Sequence, residues 1–303
     1  MIKLMSKITV AVCLIAIFLS GSILAASAAG RGRFVPIGPS IWMGEYTYID
    51  INRHPVRVVA IKVDPRKYRF SIKDVVNTIT RSRRIRYPSY SIGELIKITN
   101  PFLMINGSFF SSYSLPRPTG FLVINGRILH QADTRSSALN GLFYMERKTS
   151  LPHIAKFRIK ASKMDSRQRK SMMPSNTYSK NYYMALQSGP LLMYRSKIIY
   201  TAVKNKFYRR SAIALGNDGK NQLRVIFVVS KDKTSLHGLV RFLSAPPQRG
   251  GLGCASALNL GGGLTSGLIM NARNHRRLRI RGSIFRIGNT DSANATVIAV
   301  SVK

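Results

Sequence analysis

Residues 257–266, Ala-Leu-Asn-Leu-Gly-Gly-Gly-Leu-Thr-Ser, gather groups suited to holding an anion or a sugar. An apolar run carrying Asn259 leads into Gly261, Gly262 and Gly263, and the hydroxyls of Thr265 and Ser266 follow. Without Cβ atoms the backbone can take positive φ and come close to a ligand. Backbone N–H groups after the turn, together with the hydroxyls, could then hydrogen-bond an anion. The same stretch also reads as a glycine-rich β-turn with no ligand. A second candidate, Asn106-Gly107-Ser108, ends the apolar run 102–105. The Asn106 amide both donates and accepts, which suits a sugar hydroxyl or a phosphate oxygen. Phe109 and Phe110 offer an apolar wall for a sugar ring, or simply core packing.

Glycoside cleavage ordinarily uses two carboxylates, one protonating the leaving oxygen and one acting as base or nucleophile. The chain has only 11 acids, so they can be examined singly. Asp64, Asp218 and Asp232 sit in turn contexts, Glu94 in a helix cap, Asp165 in a basic insertion, and Glu45 and Asp50 near the start. Asp74, Asp133, Glu146 and Asp291 are left, with no pair on a recognisable motif. His54, His130, His153, His237 and His275 lack metal-type spacing and no cysteine cluster exists, so neither a zinc site nor a cofactor is expected.

Positioning these groups falls to short strands. β-branched residues dominate 56–63, Asp64-Pro65 closes that segment as a turn, and 68–72 reads as its partner. Ser91-Ile-Gly-Glu94 has capping-box spacing and predicts a helix over 91–99, leading into a strand at 102–105. Further strands are expected at 120–124, 142–145, 183–187, 191–194, 212–215 and 296–302. Residues 223–229 read as a strand entered through an Asp218-Gly219 hairpin turn. Ser235 caps an expected helix over 235–243. Residues 29–50 read as an extended lead-in and 154–181 as a basic insertion, so the domain proper spans 51–303. The expected class is α+β, a single domain with mixed β-sheet and few short helices.

In chain order, Asn106-Gly107-Ser108-Phe109-Phe110, Pro118-Thr119-Gly120, Gln187-Ser188-Gly189-Pro190, Arg210-Ser211 and the triple-glycine stretch resemble the phosphodiester glycosidase domain family, from about Val56 to Val302. That family includes N-acetylglucosamine-1-phosphodiester alpha-N-acetylglucosaminidase-like enzymes and exopolysaccharide-associated bacterial members. The resemblance implies that Arg210, Asn259 and Thr265 take part in catalysis. It implies that Asn106, Gly107, Ser108, Gln187, Ser188, Gly189, Gly261, Gly262, Gly263 and Ser266 hold the substrate. A phosphate leaves as a stable anion and needs little acid help, and Arg210 could steady it through bidentate hydrogen bonds. One departure is clear: the family usually reads Leu-Asp-Gly-Gly, whereas Leu260 is followed here by Gly261, and Leu264 stands where Gly or Pro is usual. The resemblance therefore implies either a hydrolase of sugar-phosphodiesters in envelope or exopolysaccharide glycan, or an inactive glycan- or phosphate-binding protein that keeps the pocket.

Lys3 and Lys7 precede an apolar run over 8–19, and Ala26-Ser27-Ala28 offers a cleavage site, so residues 1–28 read as a signal peptide. The product is then exported, periplasmic or secreted, with no transmembrane span after cleavage. With Cys13 in that segment, Cys254 is left alone and reads as a small buried hydrophobe. The 48 Lys+Arg against 11 Asp+Glu give +37, and removing Lys3 and Lys7 leaves +35. Such a field recruits polyanions. No nucleic-acid-binding motif is present, so the expected partners are a sugar-phosphate or phosphorylated glycan and the anionic envelope surface. A host whose proteins are generally basic would account for the charge as well. The basic stretches 81–86, 154–181 and 273–281 would make the surface contact.

Overall fold

The computed structural model describes residues 32–82, 90–157, 181–204, 206–271 and 284–303. The signal-peptide reading, most of the basic insertion, the 273–281 stretch and most of 81–86 lie outside the described residues.

Three antiparallel sheets share one core. The largest runs β1 (Val35–Gly38), β2 (Ile41–Ile49), β3 (Pro55–Val63), β14 (Leu223–Ser230), β13 (Ser211–Asn217), β15 (Ser256–Asn259), β11 (Leu191–Tyr194) and β12 (Lys197–Ile198). A second is ordered β7 (Arg127–His130), β6 (Leu122–Ile124), β10 (Tyr182–Ser188), β8 (Gly141–Glu146) and β9 (Pro152–Lys156). The third is ordered β17 (Ile284–Gly288), β16 (Gly267–Asn271), β5 (Leu103–Asn106), β18 (Thr296–Val302) and β4 (Tyr68–Asp74).

The long apolar run of β14 follows from burial on both faces. Val225, Phe227 and Val229 enter the central core, while Ile226 and Val228 face the other way. Alternate residues of a strand point to opposite faces, so a strand covered on both sides has no polar face to show. In the central core Ile61 and Phe227 of the large sheet meet Ile105 and Val300 of the third and Leu122 and Phe143 of the second. Helix α3 (Leu236–Ser244) covers the outer face of the large sheet through Leu239, Phe242 and Leu243. Helices α1 (Val75–Thr80) and α2 (Ile92–Thr99) cover the third sheet through Val75, Ile79, Leu95 and Ile96. Ser91 and Ser235 cap α2 and α3 as expected, accepting from Glu94 N at 3.2 Å and Gly238 N at 2.9 Å.

The α+β, single-domain reading with few short helices agrees with this architecture, with three corrections. Every strand pairing among the described residues is antiparallel, where a mixed sheet was expected. The lead-in 29–50 is no tether: β2 pairs with β3 along its whole length, from Ile41↔Val63 to Ile49↔Pro55, so a boundary at 51 would cut a hairpin. The insertion reading from 154 takes in the end of β9, where Ile154 pairs with Phe143.

Candidate active site

The triple-glycine loop leaves β15 in the large sheet and enters β16 in the third, so it bridges two sheets. Asn106, at the end of β5, fastens both ends of that loop. Its Nδ2 donates to Gly261 O at 2.7 Å, its Oδ1 accepts from Gly267 N at 3.1 Å, and Gly261 N donates to Gly107 O at 2.7 Å. Gly107 is required by close approach, since a Cβ there would lie 2.3 Å from Thr296 Oγ1. Thr265 Oγ1 closes the loop internally by donating to Gly262 O at 3.0 Å. Gly263, at φ 68°, sits in the left-handed region that favours glycine.

The segment before β13 is stitched to this loop. Arg209 O accepts from Gly263 N at 2.8 Å and from Ser266 Oγ at 3.0 Å. Arg210 follows, its Nε donating to Thr234 O at 3.3 Å and its Nη2 to Lys206 O at 3.1 Å, with the guanidinium over the Tyr208 ring. Burial lowers its pKa from the ordinary arginine value. Both partners are carbonyls, and among the described residues no carboxylate forms an ion pair with it.

These elements enclose a cavity of about 1010 Å³. Gly262, Gly263 and Leu264 line one part, Tyr208, Arg209 and Arg210 another, Lys231, Asp232 and Lys233 a third, and Phe109 with Tyr113 an aromatic side. The one carboxylate in this lining, Asp232, is gripped by Arg57: Oδ2 accepts from Arg57 N and Nε at 2.9 Å each, and Oδ1 from Nη2 at 2.8 Å. That guanidinium holds the Asp232 carboxyl at about 2. Lys231 is paired with Glu45 at 3.0 Å, while Arg209, Arg210 and Lys233 form no ion pair among the described residues. The wall is cationic on one side and apolar on the other, an arrangement that can hold a phosphate beside a ring or chain.

Of the residues expected to form the site, Arg210, Gly262 and Gly263 line the cavity. Asn106, Gly107, Gly261, Thr265 and Ser266 form the layer that shapes the loop, with their polar groups engaged internally. Asn259 is buried, with Nδ2 donating to Gly189 O at 2.7 Å and Leu260 O at 2.8 Å, and Ser188 Oγ donates to Asn259 O at 2.8 Å. Ser108 is buried as well, and its N donates to Thr296 Oγ1 at 3.2 Å. Gln187 is the clearest correction to the substrate-binding set. Its amide bonds Phe121 N, Asp133 N, Asp133 O and Leu139 O at 2.7–3.0 Å, so it is a strut of the second sheet. Gly189 is glycine because a Cβ there would lie 1.9 Å from Ala138 O.

Tyr113, Tyr208, Lys231, Asp232 and Lys233 were not anticipated as wall residues. The run Ser230-Lys-Asp-Lys reads as an ordinary turn, and only its β-bridge, Tyr208 to Thr234, brings it over the glycine loop. Among the described residues no three His, Cys, Asp or Glu side chains converge on a point, and no helix is long and apolar enough to cross a membrane. Cys254 is buried, and that burial pushes its thiol up to about 12.

The sequence profile of the phosphodiester glycosidase family matches residues 100–299. No curated protein sequence matches the chain. Among solved structures, it is similar to the catalytic domain of zebrafish N-acetylglucosamine-1-phosphodiester alpha-N-acetylglucosaminidase, auto-inhibited by its pro-peptide. There the TM-score is 0.54 at 11% identity, covering 89% of this chain and 87% of that one. A hypothetical protein from Synechocystis aligns with TM-score 0.49 at 12% identity, over 87% of this chain and 62% of that one. At such identity the zebrafish likeness is one of fold.

Proposed function

The chain belongs to the phosphodiester glycosidase family, and we propose that it cleaves the bond between a sugar's anomeric carbon and a phosphodiester oxygen in an envelope or exopolysaccharide glycan. The observation that carries this reading is the cationic wall of Arg209, Arg210 and Lys233, which form no ion pair among the described residues, set against Phe109, Tyr113 and Tyr208 around the glycine loop. The phosphodiester lies against the guanidinium groups and the sugar against Phe109. A water oxygen bonds to the anomeric carbon, the carbon–oxygen bond breaks, and its electron pair leaves with the phosphate monoester. The cations stabilise the charge that gathers on that leaving group. In this reading Asp232, the one carboxylate in the cavity lining, accepts the water's proton. The Arg57 guanidinium bonded to that carboxyl lowers its pKa and so weakens it as a base.

A second reading has its own observation. Gly261 carries no carboxylate where the family usually has aspartate, which suits a binding protein that keeps the pocket without the reaction. Incubation with an N-acetylglucosamine phosphodiester while monitoring free sugar separates the two. Sugar release supports the hydrolase; saturable binding without release selects the binding protein.

A further inference from the structure

Exposed apolar side chains gather at the cavity mouth. Leu264 is 66% exposed, Tyr113 59%, Tyr208 49% and Phe109 36%, and all four line the same cavity. Exposed apolar side chains concentrated around one opening, rather than scattered singly, mark a binding surface. At about 1010 Å³ the space also reaches the upper end of the range for ligand pockets, roughly 300–1,000 Å³.

Leu264 is the most telling of the four. It stands on the 3₁₀ turn Gly263–Thr265, between glycines and hydroxyls, and projects an aliphatic side chain into solvent at the rim. An isobutyl group can neither bond a phosphate oxygen nor offer a π face to a sugar. What it matches is hydrocarbon. Beside it stand Arg209, Arg210 and Lys233, cations without ion-pair partners among the described residues. Aromatic and aliphatic residues rimmed by basic ones are how proteins take hold of anionic amphiphiles.

We infer that the phosphodiester taken by this cavity carries a hydrocarbon chain, so that the substrate class is a sugar joined through phosphate to a lipid. This rests on the hydrolase reading for its reaction but on the rim for its chemistry. The phosphate sits at the guanidinium groups and the chain runs over Leu264 and Tyr113. Hydrolysis, as written above, would release free sugar and a lipid phosphate.

The test is a calorimetric titration with methyl phosphate and with dodecyl phosphate below its micelle concentration. Each buried methylene contributes roughly fourfold in affinity. Dodecyl phosphate is expected to bind at least tenfold more tightly than methyl phosphate. Leu264→Asp should cut that ratio at least threefold, and Tyr113→Ser should lower it too. Equal affinities, or a ratio that both variants leave untouched, overturn the inference. So does tighter binding of an oligosaccharide 1-phosphate than of dodecyl phosphate, since Leu264 and Tyr113 would then receive sugar rather than hydrocarbon. Free-sugar assays on methyl and dodecyl diesters of N-acetylglucosamine 1-phosphate keep the two claims apart. A chain preference in binding with no sugar released from either diester overturns the hydrolase and supports the lipid class. Release from both diesters with no chain preference supports the hydrolase and overturns the lipid class.

Discussion

A glycine at 261 leaves room whose walls are chemically specific. A Cβ built there lies 3.2 Å from Asn106 Nδ2 and from Thr265 Oγ1 and 3.3 Å from Gly107 O, tight contacts that need shifts of a few tenths of an ångström. Gly261 is not in the positive-φ region, so its backbone accepts a side chain. An aspartate there would lie beside the Asn106 amide and the Thr265 hydroxyl and compete for protons they now give to Gly261 O and Gly262 O. Gly261→Asp is therefore expected to raise turnover of an N-acetylglucosamine phosphodiester by roughly 10²–10⁴-fold, the usual worth of acid–base assistance. Unchanged kcat/KM in a folded variant would count against it. Arg210→Ala removes the half-buried guanidinium and should weaken phosphate-ester binding by roughly 10–100-fold in both backgrounds, read by calorimetry. Asp232 supplies a pH test. Its carboxyl titrates at about 2 in the folded protein, against about 4 when unfolded, because Arg57 is bonded to it. The lowered value means the pairing stabilises the fold fully above pH 4 and progressively less as pH falls towards 2. Melting temperatures of wild type and Arg57→Ala should consequently differ most at neutral pH and converge only as pH falls below about 2.

At the scale of elements, the cavity wall depends on a buried acid two strands away. Asp50, at the end of β2, accepts from Thr234 Oγ1, Ser235 N and Ser235 Oγ, each at 2.7 Å, and those hydrogen bonds help hold its pKa below the usual carboxylate value. Thr234 O in turn accepts from Arg210 Nε, and Thr234 N donates to Tyr208 O at 2.9 Å. Asp50→Ala would leave buried donors unpaired, so it should cost about 2–4 kcal/mol in urea unfolding and blunt phosphate binding as the 231–233 turn loosens. This latch was not legible in the sequence. Gly32, Pro36, Gly38 and Pro39 suggest an extended lead-in outside the domain, and the strand behind them is recognised only through its register with β3. Elements with local signals were legible: the Ser91 and Ser235 caps, the Asp218-Gly219 turn, and the β-branched runs of β3, β14 and β18. The site was half legible for a related reason. Its glycines and Arg210 announce themselves by type, whereas Gln187 and Asn106 read equally well as ligand groups or struts. Only the partners of their amides decide between the two.

Over the whole molecule, the proposal that the protein adheres to anionic surfaces rests on its charge. With 48 Lys+Arg against 11 Asp+Glu, even the six acids engaged in ion pairs among the described residues, Asp64, Asp218, Asp232, Asp291, Glu45 and Glu94, leave most cations uncompensated. Each exposed basic residue near an anionic surface contributes on the order of 1 kcal/mol, and these contributions act only within a Debye length. That length shrinks from about 10 Å at 0.1 M salt to about 3 Å at 1 M. Sedimentation with phosphatidylglycerol-containing vesicles should accordingly show strong retention at 0.1 M salt and release of most protein by about 1 M. Vesicles of neutral phosphatidylcholine should retain little at either concentration. Undiminished retention at 1 M would show that apolar insertion at the rim, through Leu264 and Tyr113, outweighs the field, and Leu264→Asp should then release the protein without added salt. Equal retention on neutral and anionic vesicles would show that the net charge of +37 does not direct this protein to anionic surfaces.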